Sequence, residues 1–294
     1  MKYAKVIADS KHYETGTRLT TFEVLMPRWV LAEFNTHRQL SRNSASSRAI
    51  PIKANIENIL ANTALPVHWG LNQSGMVADL EANDEIAQKA RDVWIRARDS
   101  AIGFANELSE LGIHKQIANR LIENFTYQKV IVTATEWSNF FWLRNHKDAQ
   151  PEIKAVAEDM YQEYLASTPR ELKLGEWHVP YFGDGIWTSE SETSLADALK
   201  ISASCCAQVS YRKQDDSLEK ATKVFDMLNL DNEDADVRMH SSPIEHQATP
   251  INIEENPYYI TGLSHIDVNG VSWSGNLKDF VQYRKLFANE CHSE

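Results

Sequence analysis

The chain has 294 residues, 43% of them apolar and 24% charged, which suits one large domain or two small ones and excludes intrinsic disorder. Its net charge of −11 is opposite in sign to the surface that duplex nucleic acid selects, and its three cysteines (Cys205, Cys206 and Cys291), without a Cys-x-x-Cys spacing, exclude a disulfide framework and a thiolate metal or redox motif. No run of about 18 apolar residues occurs, and the first residues lack the apolar core of a signal peptide, so a soluble cytoplasmic chain with no membrane span is expected.

In chain order, residues 1–30 read as strands. Thr20 to Met26 is β-branched and apolar, and Pro27 stops it. A Ser- and Arg-rich segment runs from Arg38 to Arg48. Ile86, Ala90, Val93, Trp94, Ala97, Ala101, Phe104, Ala105 and Leu108 step by threes and fours, which predicts an amphipathic helix ending near Gly112. A second helix is expected over 113–125, a strand over 127–133, and a helix with Ile153, Val156, Ala157, Met160 and Tyr164 on one face. Residues 167–192, with Pro, Gly and Trp, read as a loop. Helices follow over roughly 193–209 and 217–229, and the tail from about 246 reads as short strands with Asn/Gly turns. The pattern is α+β in a single domain over 1–294. Eleven glycines and no Gly-x-Gly-x-x-Gly leave a dinucleotide to be held by arginines and helix N-termini instead of a Rossmann turn.

Four short blocks carry candidate chemistry. In the first, His37 to Arg48, Arg38, Arg42 and Arg48 alternate with hydroxyls and an amide, a composition that grips phosphate and equally suits a polar surface loop. The second runs Leu143-Arg144-Asn145-His146-Lys147-Asp148-Ala149-Gln150-Pro151-Glu152-Ile153, with Asn139 five residues before the arginine; Asp148 is the expected helix cap. The third is Ala118-Asn119-Arg120. The fourth is His240-Ser241-Ser242-Pro243-Ile244-Glu245-His246, whose histidines, six apart, do not share a helix face, so no metal site is expected. Val209-Ser210-Tyr211-Arg212 lies upstream of it.

These blocks resemble the flavin-dependent thymidylate synthase family. His37, Arg38, Ser41, Asn43, Ser46 and Arg48 match R-H-R-x-x-S-x-N-x-x-S-x-R at its spacing, behind a strand that resembles Phe22 to Pro27. The second block resembles L-R-x-x-x-x-A-Q-x-E-I, the fourth H-x-[ST]-P-x-E-H, and Val209 to Arg212 the family's V-S-Y-G. The family's first blocks stand last here and the cyclic order is kept, so the chain resembles a circularly permuted member. Departures are Thr36 for the first arginine, Glu33 for a glutamine, Ser44 for a glutamate and Arg212 for the glycine. The tail around Arg284, Asn289 and Glu290 resembles a second partial copy of the first block, within 270–294, that would supply groups the first copy lost.

The resemblance implies reductive methylation of dUMP at C5, with carbon from methylenetetrahydrofolate, hydride from reduced FAD, NADPH as the reductant, and a homotetramer with sites between subunits. It implies Arg144 as the group that stabilises negative charge on the pyrimidine. Ser46, Arg48 and Arg120 would hold dUMP with it, and His37, Arg38, Asn139, Ser242, His240 and Glu245 would hold FAD, with Ser41, Asn43, Arg284 and Glu290 as further candidates. Cys205 and Cys206 lie in Ser-Cys-Cys-Ala, outside the Pro-Cys-His context of the other thymidylate synthase family. Two alternatives are a flavin-dependent hydroxymethylase acting on dUMP or dCMP, to which the departures point, and a non-catalytic nucleotide-binding homologue.

Overall fold

The computed structural model describes residues 3–210, 214–230, 239–288 and 290. β1 (Ala4–His12) and β2 (Arg18–Pro27) pair antiparallel, followed by a helical turn, α1 (Leu31–Phe34), and a short edge strand, β3 (Ser41–Ser44). Two helices, α2 (Ile52–Ala61) and α3 (Asp84–Glu110), and the turn α4 (Lys115–Ala118) lead to β4 (Tyr127–Ala134). Next come α5 (Ser138–Arg144), α6 (Pro151–Ala166) and β5 (Arg170–Leu172), completing a sheet of order β3-β4-β2-β1-β5 in which β1 and β5 run parallel and the other neighbours antiparallel.

Period-two burial gives the central strands two distinct faces. Phe22, Val24 and Met26 of β2 and Val130, Val132 and Ala134 of β4 pack with Phe140, Phe141, Ile153, Val156 and Met160 of α5 and α6 into the main core. The opposite face is covered by the remainder of the chain: β6 (Trp177–His178), β7 (Ile186–Trp187), α7 (Leu195–Ala207), α8 (Leu218–Asp226) and β8 (Ala248–Pro250). The tail adds β9 (His265–Ile266), β10 (Ser272–Ser274), β11 (Leu277–Lys278) and β12 (Phe280–Gln282), the last joining a second sheet of order β12-β8-β6-β7.

Between the two sheets runs a chain of buried polar groups. Ser10 Oγ is 2.7 Å from His178 Nδ1, His178 Nε2 is 2.7 Å from Thr21 Oγ1, Thr21 meets Thr133 at 2.7 Å, and Thr133 Oγ1 is 2.8 Å from His246 Nδ1. Burial pushes both imidazoles down to about 3, so both stay neutral. Gly185 closes the same region. Its φ is 92°, and a Cβ there would stand 2.7 Å from Ala8 Cβ and 2.9 Å from Ala8 Cα, beside the irregular register of β1 between Val6 and Ala8. Gly185→Ala is expected to cost about 2–4 kcal/mol in a urea melt, since strain and overpacking add.

The structure revises several sequence expectations. The helix over 113–125 is one α turn followed by a 3-10 segment over Asn119–Phe125. The 167–192 loop carries β5, β6 and β7. The cap of α6 is Gln150, whose side chain accepts from the Ile153 N–H at 3.1 Å, and not Asp148; Pro151 occupies the first helical position and fixes the cap one residue before it. Cys205 and Cys206 are buried, and burial raises both thiols. Cys291, Asn289, Tyr211 and Arg212 lie outside the described residues. No helix among the described residues is long and apolar enough to cross a membrane.

Candidate active site

The Arg-rich segment is held at both ends of its first turn by buried Phe34 and Leu40, which leaves His37 between them facing α5. Its ring stands edge-on to Phe140 at 5.0 Å. Arg144, at the C-terminus of α5 where the helix dipole favours a cation, meets it there. Arg144 Nε donates to His37 Nε2 at 2.8 Å, its Nη1 pairs with the Glu33 carboxylate, and Nη2 is 3.4 Å from Thr36 Oγ1. A guanidinium only donates, so His37 Nε2 carries a lone pair and the ring proton sits on Nδ1. Burial, followed by the positive charges of Arg144 and Arg42, pushes His37 down to about 4. Its imidazole is expected to show no NMR titration between about pH 5 and 8, whereas in Arg144→Ala the midpoint should rise toward the ordinary value of about 6.5.

Arg144 and Glu33 line a cavity of about 800 Å³ whose wall continues through the second block, with Lys147, Asp148, Gln150 and Lys154. That size accommodates a nucleotide.

The fourth block, last in the chain, returns to the same region. Ser242 Oγ is 3.3 Å from Asn43 Oδ1, and Asn43 also donates to the Cys206 carbonyl at 2.7 Å. Arg42 joins the two groups: its Nη1 donates to the His37 carbonyl at 2.5 Å and its charge faces Glu245. Glu245 pairs with Arg284 of the tail, and Arg284 Nε lies 2.9 Å from Glu290 Oε2 in an ion pair too bent for a hydrogen bond. Ser41 accepts from Gln282 at 3.1 Å.

Ser46 and Arg48 follow the end of β3, whose four residues at about 3.3 Å each carry the chain roughly 13 Å along the strand. The Ser46 N–H donates to Ser210 Oγ at 2.8 Å, Ser47 donates to Glu123 at 2.6 Å, and Arg120 lies 3.8 Å from Glu123. Arg38, Arg48, Asn139 and His240 are exposed, and their side chains make no ion pair among the described residues. Their placement leaves donors facing outward.

One chain therefore assembles Arg144, His37, Ser41, Asn43, Ser242, Glu245, Arg284 and Glu290 into adjoining clusters, and among the described residues Ser46, Arg48 and Arg120 make no hydrogen bond or ion pair with them. Sequence reading missed the buried residues that support the site, Thr21, Thr133, His178 and Gln282. The available signal was polar residues at core positions of apolar strands, Thr21 and Thr133 above all.

The family described as thymidylate synthase complementing protein matches residues 3–170. The chain belongs to this family, the one its motifs resemble. The fourth block lies beyond the matched residues yet sits against β4 through His246 and Thr133. Two crystal structures of the UMP/dUMP methylase PolB from Streptomyces cacaoi, bound with 5-Br UMP and 5-Br dUMP, are similar over 51% and 52% of this chain and 69% of theirs, at 24% and 23% identity and a TM-score of 0.44. No curated protein matches the chain.

Proposed function

We propose that the chain is a flavin-dependent thymidylate synthase that methylates dUMP at C5, taking carbon from methylenetetrahydrofolate and reducing equivalents from NADPH. The observation that carries this reading is Arg144, beside a neutral His37, on the wall of a nucleotide-sized cavity within the family-matched segment. Uracil C5 is a weak nucleophile, and a guanidinium on the pyrimidine edge stabilises the negative charge that develops as C5 attacks. Of the five guanidinium N–H groups of Arg144, three already face His37, Glu33 and Thr36, which orients the remaining two. No enzyme nucleophile is required, in keeping with two buried thiols whose pKa is raised.

The donor set suits FAD. Arg38 offers an exposed guanidinium for a pyrophosphate, and neutral His37, Asn139, Ser242 and His240 offer polar groups for ring and ribityl oxygens. When bound, FAD supplies the hydride. Ser46, Arg48 and Arg120 would hold the nucleotide phosphate. A homo-oligomer, such as a tetramer, in which Ser46, Arg48 and Arg120 of one copy face the partner's Arg144 would complete the site.

A second reading, a hydroxymethylase acting on dUMP or dCMP, has one observation in its favour. Glu33 pairs with Arg144 and compensates its charge, so the edge of the cavity offers an acceptor beside a donor. Titrating the purified protein with FAD and then dUMP or dCMP, followed by flavin absorbance, tests the proposal. FAD binding with a spectral change on dUMP supports it; failure to bind FAD overturns it, and a response to dCMP alone favours the second reading.

A further inference from the structure

We infer that the turn over 280–287 is a clamp on the flavin site, and that Gln282 and Arg284 are positioning residues that act through Glu245 and Ser41. The inference rests on the FAD reading above.

The turn grips the fourth block at two points on one residue. Gln282 Nε2 donates to the Glu245 carbonyl at 2.8 Å, and Arg284 Nη1 pairs with the Glu245 carboxylate. The same Gln282 amide nitrogen donates to Ser41 Oγ at 3.1 Å, so one buried side chain ties the first block to the fourth. The register is set by the backbone: Gln282 pairs with Ala248 across β12 and β8, and the Tyr283 N–H donates to the Gln247 carbonyl at 2.9 Å. Tyr283 then anchors the turn between Trp177 and Phe287, with ring centroids 5.8 and 5.0 Å away.

Charge explains why a second cation is needed. Glu245 is faced by Arg42, Arg284 and Lys285, and Glu290 pairs with both Arg284 and Lys285. Burial alone would drive the Glu245 carboxyl toward its neutral form, and Arg284 is the strongest force opposing it. Arg42 also serves the His37 carbonyl and Arg284 also meets Glu290, and of the two cations Arg284 acts on Glu245 the more strongly. Arg284 Nη1 fixes one oxygen of the Glu245 carboxylate while its Nε and Nη2 face Glu290; without Arg284 the carboxylate loses the strongest charge opposing burial and takes up a proton more readily.

The test measures FAD affinity by fluorescence quenching, against pH, alongside thermal melting, for wild type, Arg284→Ala and Arg284→Lys. The expected result is FAD binding at least about tenfold weaker in Arg284→Ala, with the acid limb of the binding profile moved to higher pH and partial recovery in Arg284→Lys. A lowered melting temperature with unchanged FAD affinity and pH profile would show a merely structural turn and overturn the inference alone. A wild type that binds no FAD would overturn the functional reading and this inference with it. Should Arg284→Ala fail to fold, Arg284→Gln keeps much of the side chain without its charge and is expected to show the same weaker binding and the same shift; unchanged FAD affinity in that folded variant overturns the inference.

Discussion

Arg144→Ala is expected to lower kcat/KM for dUMP by about a hundredfold to a thousandfold, the cost of losing one preorganised charge-stabilising group. The loss should fall on kcat, because the charge on the pyrimidine exists only as the C5 bond forms. Arg144→Lys should recover little. A lysine is a single point charge and cannot donate at once to His37 Nε2, Glu33 and the substrate, as the fork does. Stability should hardly change: the Glu33–Arg144 pair is partly solvated, with Glu33's side chain 32% exposed, and such pairs contribute about 1 kcal/mol or less. Activity lost without unfolding separates a chemical role from a structural one. A variant with wild-type kcat/KM would remove Arg144 from the mechanism.

Thr133→Val is expected to destabilise the protein by about 2–4 kcal/mol, although valine fills the same volume. The hydroxyl lies between Thr21 and His246 in the buried polar chain, and its removal leaves Thr21 Oγ1 and His246 Nδ1 each one partner short. His246 is the more sensitive to this change in energetic terms, because its buried Nε2 has no partner among the described residues. The same two histidines set the acid limit of the fold. Folded, they stay neutral to about pH 3, whereas unfolded imidazoles take a proton near 6.5. The unfolded chain binds more protons between those values, so stability falls as pH drops below about 6.5, by about 1.4 kcal/mol per pH unit per histidine. Urea melts of wild type and Thr133→Val at several pH values check both statements. Equal midpoints for the two proteins would mean that the chain of hydroxyls holds nothing together.

The sheet and the long helices were legible because their signals are local. Phe22, Val24 and Met26 alternate with Thr21 and Glu23, and the apolar positions of α3 and α6 recur every three to four residues. α5 was not legible: seven residues long and mostly aromatic or aliphatic, it shows no period. β6 and β7 hold two residues each, too short to show a period, and only the pairing of β6 with β8 reaches far along the chain. The motif residues were legible by type and spacing, and the structure joins most of them. What holds them was not, because Ser10, Thr21 and His178 are brought together across 157 and 168 residues, and Gln282 reaches Ser41 across 241. Such partners leave no periodic trace.

Incubating the protein with dUMP, methylenetetrahydrofolate, FAD and NADPH and measuring the mass of the recovered nucleotide decides whether it is methylated. The expected result is a gain of one methyl group in place of hydrogen, dependent on FAD and absent in Arg144→Ala. A hydroxymethyl gain, or a gain on dCMP with none on dUMP, would contradict it and make the Glu33–Arg144 pair the mark of a different reaction.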